Sequence, residues 1–354
     1  MVEFVHETLG QRVVFCDSQA DAYLAREIEA LGVRRVVVIS GRADAEEITA
    51  GLRVVLRWDK VVEHVPLNVA DEARAAARHA RADVLIAIGG GSAIGLAKAI
   101  ALEQHLPIIA VPTTFAGSEA TDVWGVTEGG RKTTGVDRHV LPKTVIYDAE
   151  LTAKLSREFG VASAINGIAH CVDSLWAPRA DPLNAIQAQE AARSLADGIR
   201  AFASDPSDAE ARHRLQYGAY LAAVAFASAG SGMHHKLCHV LGGTYDLPHA
   251  QTHAVVLPYV LAYNMDAAPD AARRLETAFG EDDALLGLER LKHEVGAPTA
   301  LRHLGFERSS IPEAAMLAAA SVPPTNPRPV SIASMTTLLE SAWSGTSPEK
   351  LRSP

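Results

Sequence analysis

Five of the chain's fourteen histidines fall in one stretch, Gly232 to His253, GMHHKLCHVLGGTYDLPHAQTH: His234, His235, His239, His249 and His253. Imidazole binds metals and moves protons near neutral pH. His235 and His239 are four apart, so a helix stacks them one turn apart on one face; the same holds for His249 and His253. Gly242 and Gly243 read as the break between two helices, with Pro248 in the first turn of the second. Two helix ends would then aim several imidazoles at one spot. A second pair, Asn166 and His170 in VASAINGIAHCVDSLWA, also shares a helix face. These types suit metal or substrate contact, although a neutral amide is a poor ligand for a cation. His170 taken alone reads equally well as a packed core histidine.

Two further stretches suit a nucleotide. Gly89-Gly90-Gly91-Ser92 follows the apolar run VLIAI and opens a helix carrying Lys98. Glycines let the backbone approach a pyrophosphate, and the helix N-terminus offers free N–H groups. Gly89 and Gly91 fit the start of a dinucleotide fingerprint, but Ile94 stands at its third glycine. Pro112–Glu119 follows the next apolar run, and its Thr113, Thr114 and Ser118 offer hydroxyls for a ribose or phosphate. Ser40 closes an earlier strand, where an acidic residue would hold ribose hydroxyls and repel a 2′-phosphate. With serine there and Arg42 nearby, both NADH and NADPH should be accepted.

The elements that must position these residues change character along the chain. VVFC (Val13–Cys16), RRVVVIS (Arg34–Ser40), the run before Gly89, LPIIAVPTT (Leu106–Thr114) and VLPKTVIYD (Val140–Asp148) are strand-like, with helical patterns between them. Such alternation implies a parallel sheet. Beyond about Asp148 the pattern is Ala/Leu-rich and helical, with stretches at 162–176, 182–204, 209–228, 271–279, 283–295, 311–320 and 331–342. Ala70–Arg81 reads as a surface helix, and the closing SPEKLRSP as a frayed tail.

Composition narrows the function. The 354 residues suffice for two cores; 48% are apolar and 21% charged, as in a soluble globular protein. A net charge of −9 without a basic block argues against nucleic acid, and an anionic substrate would need a local positive cluster. Cys16, Cys171 and Cys238, odd in number and far apart, suggest a reducing compartment. The opening MVEFVHETLGQ has no signal-peptide pattern and no apolar run reaches membrane-spanning length, so a cytoplasmic protein is expected.

The residues quoted above resemble the iron-containing alcohol dehydrogenase family and, within it, the branch of maleylacetate reductases, from about Arg12 to Arg328. Gly89–Ser92 matches the family's pyrophosphate loop, Pro112–Glu119 its second nucleotide-binding loop, and Lys132 a lysine near the cofactor. The family's metal set is an Asp and a His four apart, then two histidines fourteen apart. It falls here on Asn166, His170, His235 and His249. His239 matches a further active-site histidine. Asn166 removes the only anionic ligand. The branch shows the same departure, with Gly95 replacing an aspartate, His234 beside His235, and His253 replacing an asparagine. WGVTEGGRKTTG (Trp124–Gly135) and HHKLCHVLGG (His234–Gly243) match it too.

The resemblance implies a Rossmann-like α/β nucleotide-binding domain with a parallel sheet over residues 1–155. An all-α domain carrying the histidines follows over 156–354, with the active site in a cleft between the two. It implies NAD(P)H-dependent reduction of maleylacetate, and by extension chloromaleylacetate, to 3-oxoadipate in aromatic-compound degradation. Catalysis would fall to His170, His235, His239, His249, His253 and Lys132. Cofactor binding would fall to Ser40, Gly89, Gly90, Gly91, Ser92, Thr113, Thr114, Ser118 and Lys132. Imidazolium would stabilise the developing enolate and deliver the proton, so no metal would be required. Arg131, Lys132, Lys236 and, less so, Arg328 are candidates to hold the dicarboxylate substrate. A homodimer is expected. The alternative is a metal-dependent alcohol dehydrogenase with iron or zinc on His170, His235 and His249. A lyase related to dehydroquinate synthase and a non-catalytic nucleotide-binding protein are the more distant readings.

Overall fold

A computed structural model describes residues 3–129 and 131–352, excluding the side chain of Arg131. The chain divides into two compact units. One runs Leu9–Lys154; the other joins the segment ending at Thr8 to everything from Leu155 onward.

The first unit is built on six strands: β1 (Arg12–Cys16), β2 (Val36–Ile39), β3 (Val54–Trp58), β4 (Val84–Gly89), β5 (Ile108–Pro112) and β8 (Thr144–Asp148). They pair in parallel in the order β1-β8-β5-β4-β2-β3. Every residue of β2, β4, β5 and β8 is buried, which is why these strands read as unbroken apolar runs. Helices α1 (Ala20–Leu31), α2 (Ala45–Ile48), α3 (Leu67–His79) and α4 (Gly91–Gln104) connect them. β2 leads outward to the edge strand β3, whereas β4 leads the other way to β5. Connections thus part at the carboxyl ends of β2 and β4, the place where open α/β sheets bind ligands. β3 and a two-stranded antiparallel hairpin, β6 (Val123–Glu128) with β7 (Arg131–Val136), add to the strands read from the sequence. Helix α3 is less superficial than expected, burying Val69, Ala70, Ala73, Arg74 and Ala77.

The second unit is all-helical. Its centre is α5 (Arg157–Ser174), buried without interruption from Gly160 to Ser174. Around it lie α6 (Pro182–Ser204), α7 (Ala209–Ala229), α8 (Met233–Tyr245) and α9 (His249–Asn264), followed by α10 (Pro269–Phe279), α11 (Ala284–Glu294), α12 (Ile311–Ser321) and α13 (Ile332–Ser344). Ser156, Asp181 and Asp208 cap α5, α6 and α7 through their side chains. Gly242 and Gly243 do not break a helix, as the sequence suggested. Helix α8 runs through both and stops at Asp246, which takes the left-handed conformation (φ 52°). Packing of the buried Leu241–Gly242 side of α8 outweighs the weak helix propensity of glycine. The tail is also less frayed than expected: Leu351 is buried, and Arg352 bonds Asp283 and Asp266. Among the described residues, no helix is long and apolar enough to cross a membrane.

Candidate active site

The helical unit gathers its histidines around a buried carboxylate that the sequence reading passed over. On α5, Asn166, His170 and Asp173 follow at helical spacing and share one face. Asp173 is fully buried and meets the N-terminus of α8. It accepts the backbone N–H groups of Gly232 (3.2 Å), His234 (3.2 Å) and His235 (3.0 Å), and His235 Nδ1 at 2.8 Å. A Cβ on Gly232 would lie 2.5 Å from Asp173 Oδ1, so only glycine admits the carboxylate there. The helix dipole and three N–H donors favour the anion at this end.

Around this anchor the rings pack against one another. His170 stacks on His235 with centroids 4.7 Å apart, and both touch Phe226. His253 on α9 lies 4.8 Å from His235 and 4.4 Å from His249. His234 Nε2 and His253 Nδ1 are hydrogen-bonded at 2.9 Å. His239 is 6.2 Å from His235 across one helical turn. His170, His234, His235 and His253 are buried, whereas His239, His249 and Lys236 are half-buried.

Burial sets the charge of this cluster. Desolvation pulls His170 down to about 4 and His234 to about 3, against the pull of Asp173. It holds His235 and His253 well below the usual histidine value, helped by neighbouring histidines and, at His235, by Lys236. Burial thus holds His170, His234, His235 and His253 towards the neutral imidazole form. Burial pushes Asp173 up, while its histidine and N–H partners pull it down. With Nδ1–H given to Asp173, His235 keeps a bare lone pair on Nε2.

The α/β unit assembles the other candidates. Gly90 stands immediately before α4, and a Cβ there would meet Thr114 Cγ2 at 2.8 Å. Gly91 faces open space at the helix N-terminus, with Ser92 beside it. Gly89 pairs with Pro112 in the sheet, so the glycine loop and Thr113-Thr114 leave adjacent strand ends. A Cβ on Gly95 would lie 3.0 Å from Val65 Cγ2, so an aspartate there would displace that side chain. Lys98, fully buried, donates to the carbonyls of Ser118, Thr121 and Val123 and to the Thr121 hydroxyl, pinning the loop that bears Ser118. These four acceptors favour the ammonium, while burial pulls Lys98 down to about 7. Lys132 lies opposite Thr127 in the hairpin; burial lowers its pKa and Glu63 raises it. The Ser40 hydroxyl donates to Ile88 O at 2.7 Å. Ser40 lines a cavity of about 180 Å³ with Arg42, Glu46, Arg57 and Asp59. Arg42 is already paired with Asp44 at 2.6 Å. Arg328 stacks on Tyr263 (4.3 Å) and donates to Leu351 O, which gives it a structural role.

Asn166 Oδ1, His170 Nδ1 and His235 Nε2 are buried without a hydrogen-bond partner among the described residues, so their ring and amide atoms remain available. As an iron site this set fits poorly. It holds no carboxylate, since Asp173 is spent on His235 Nδ1 and the α8 N-terminus. Nor do the donor atoms of His170, His235 and His249 form a trio within reach of one ion. Among the described residues the one such trio is His234, Cys238 and His253.

Residues 11–149 match the family described as iron-containing alcohol dehydrogenase, and residues 160–343 match the C-terminal part of the Fe-containing alcohol dehydrogenase family. The chain belongs to this family of oxidoreductases. Among its relatives, the maleylacetate reductase of Pseudomonas knackmussii is 45% identical over 98% of this chain and 99% of its own. An iron-containing alcohol dehydrogenase from Corynebacterium glutamicum has a solved structure that is 53% identical, with a TM-score of 0.97 over 99% of both chains. The maleylacetate reductase structure from Agrobacterium tumefaciens is 37% identical, with a TM-score of 0.92 over 98% of this chain and 100% of that one.

Proposed function

We propose that the protein reduces maleylacetate to 3-oxoadipate with NADH or NADPH, using its histidine cluster and no iron. The observation that carries this reading is the Asp173–His235 pair inside a packed group of histidines, in a chain akin to maleylacetate reductases over nearly its whole length. The nicotinamide cofactor, when bound, supplies the hydride. Gly90, Gly91 and Ser92 would hold its pyrophosphate with backbone N–H groups at the α4 N-terminus, with Thr113, Thr114 and Ser118 on the neighbouring loop.

The substrate is an enone with two carboxylates. Reduction at the alkene carbon β to the ketone leaves negative charge on the ketone oxygen. The α carbon then needs a proton. A dianion entering beside the buried imidazoles raises their proton affinity. His235 is the member best placed to take up a proton from water as the substrate binds, because His235 H⁺ beside Asp173⁻ is a neutral pair. Its Nε2–H then donates to the developing oxyanion or to the α carbon. Lys236, His239 and His249, half-buried beside the cluster, are the donors for the carboxylates.

Chloromaleylacetate, a role in aromatic-compound degradation, cytoplasmic localisation and a homodimer belong to the same proposal. Three free cysteines support the reducing compartment. Exposed Val5, Leu183 and Ile186, near the His6–Asp181 contact, support a self-association surface. The test is NADH absorbance with maleylacetate present and 3-oxoadipate measured as product. One product per NADH consumed supports the reading, and oxidation of simple alcohols without maleylacetate turnover overturns it.

A further inference from the structure

We propose that His234, Cys238 and His253 form a binding site for a thiophilic divalent cation, of which zinc is the type, separate from the family's iron positions. His234 and Cys238 are four apart on α8 and so lie on one face, and His253 reaches them from α9. Their donor atoms all lie within 4.8 Å of one another, and all three residues are at most 1% exposed. Tetrahedral zinc with Zn–N and Zn–S bonds of ordinary length separates nitrogen and sulfur ligands by about 3.6 Å and two nitrogens by about 3.3 Å. Cys238 Sγ stands 3.6 Å from His234 Nε2, the separation zinc requires. His234 Nε2 and His253 Nδ1 stand at 2.9 Å and need to part by only a few tenths of an ångström.

The chemistry favours this trio over the other histidines. A thiolate supplies the negative charge that Asn166 withholds from the iron positions, and two imidazoles with one thiolate are a soft set that suits zinc. On binding, the Cys238 S–H bond breaks, its proton leaves to water and an S–Zn bond forms. Each imidazole gives a lone pair. The hydrogen now shared between His234 and His253 moves to a distal nitrogen, His234 Nδ1 or His253 Nε2, both of which lack a partner among the described residues.

Cobalt(II) is the probe, because a cobalt–thiolate bond gives a charge-transfer absorption that imidazole ligands do not. Full-length protein freed of metal should bind one equivalent of Co²⁺ with this absorption, and zinc should displace it. Cys238→Ser should lose the absorption and weaken binding at least tenfold, while His170→Ala and His249→Ala keep both. The wild-type spectrum decides the matter even should a variant misfold: no thiolate absorption there overturns the site. An absorption that persists in Cys238→Ser overturns it too. So does binding lost in His249→Ala but kept in Cys238→Ser.

Discussion

Asp173 Oδ2 accepts His235 Nδ1 at 2.8 Å, in a place where neither residue is more than 3% exposed. The same carboxylate holds the first N–H groups of α8, so one side chain fixes both the helix and the ring it carries. Asp173→Asn loses the charge that stabilises a protonated His235 and replaces one of the two oxygens that accept α8 N–H groups with an NH2. We predict a fall in kcat of roughly 10²-fold, within the range of general acid–base contributions, with little change in KM for maleylacetate. Steady-state kinetics checks this; an equal rise in KM would make Asp173 a binding residue instead.

The glycine loop separates a structural effect from a binding one. Gly90→Ala drives a methyl group into Thr114 at 2.8 Å and should destabilise the fold. Gly91→Asp meets nothing within 4 Å, so its Tm should hold while its KM for NADH rises steeply. An unchanged KM would move the cofactor away from α4.

Cofactor choice should follow the cavity at the end of β2. Ser40 carries no charge there, while Arg57 and Asp59 bring one of each sign. NADH and NADPH should therefore differ by less than about tenfold in kcat/KM, with no acidic residue at position 40 to reject a 2′-phosphate and Arg57 to offset Asp59. Arg57→Ala should lower kcat/KM for NADPH alone. Strict exclusion of NADPH by the wild type would contradict this.

Acid should destabilise the helical unit. His170 and His234 have folded pKa values of about 4 and about 3, below the unfolded value of 6.5. Between these limits the unfolded chain binds protons that the folded chain refuses. Their contribution is full above pH 6.5 and is lost as pH falls towards 4, at about 1.4 kcal/mol per histidine per pH unit. Asp173, whose pKa is raised, works in the opposite direction. Denaturation midpoints at pH 7.5, 5.5 and 4.5 should fall, and the slope should be shallower in His170→Asn. A slope unchanged by that substitution would mean that His170 is charged in the folded state.

How much of this the sequence showed depended on local signal. The buried strands were legible because a parallel sheet covers both faces, leaving runs such as VVVI and VLIAIG. β3 was not, because VVLRW is short, half-exposed and ends on Arg57 and Trp58. The histidines announced themselves by number. Asp173 did not, because a lone aspartate in an apolar helix resembles any cap or turn residue until its partners 59 to 62 positions away are known. Its phase, seven after Asn166 and three after His170, was the available signal. Gly242 and Gly243 misled because helix propensity is weak against the packing of a whole helix face.

We predict that His170, His235 and His249 work as imidazoles and not as iron ligands. Metal content alone does not test it, because an ion on His234, Cys238 and His253 would count equally. The decisive measurement is maleylacetate-dependent NADH oxidation by exhaustively chelated protein, with iron and zinc determined in the same sample. Turnover should be undiminished at substoichiometric metal, and kcat should fall in His235→Ala. Turnover that vanishes on chelation and returns with added iron would contradict it.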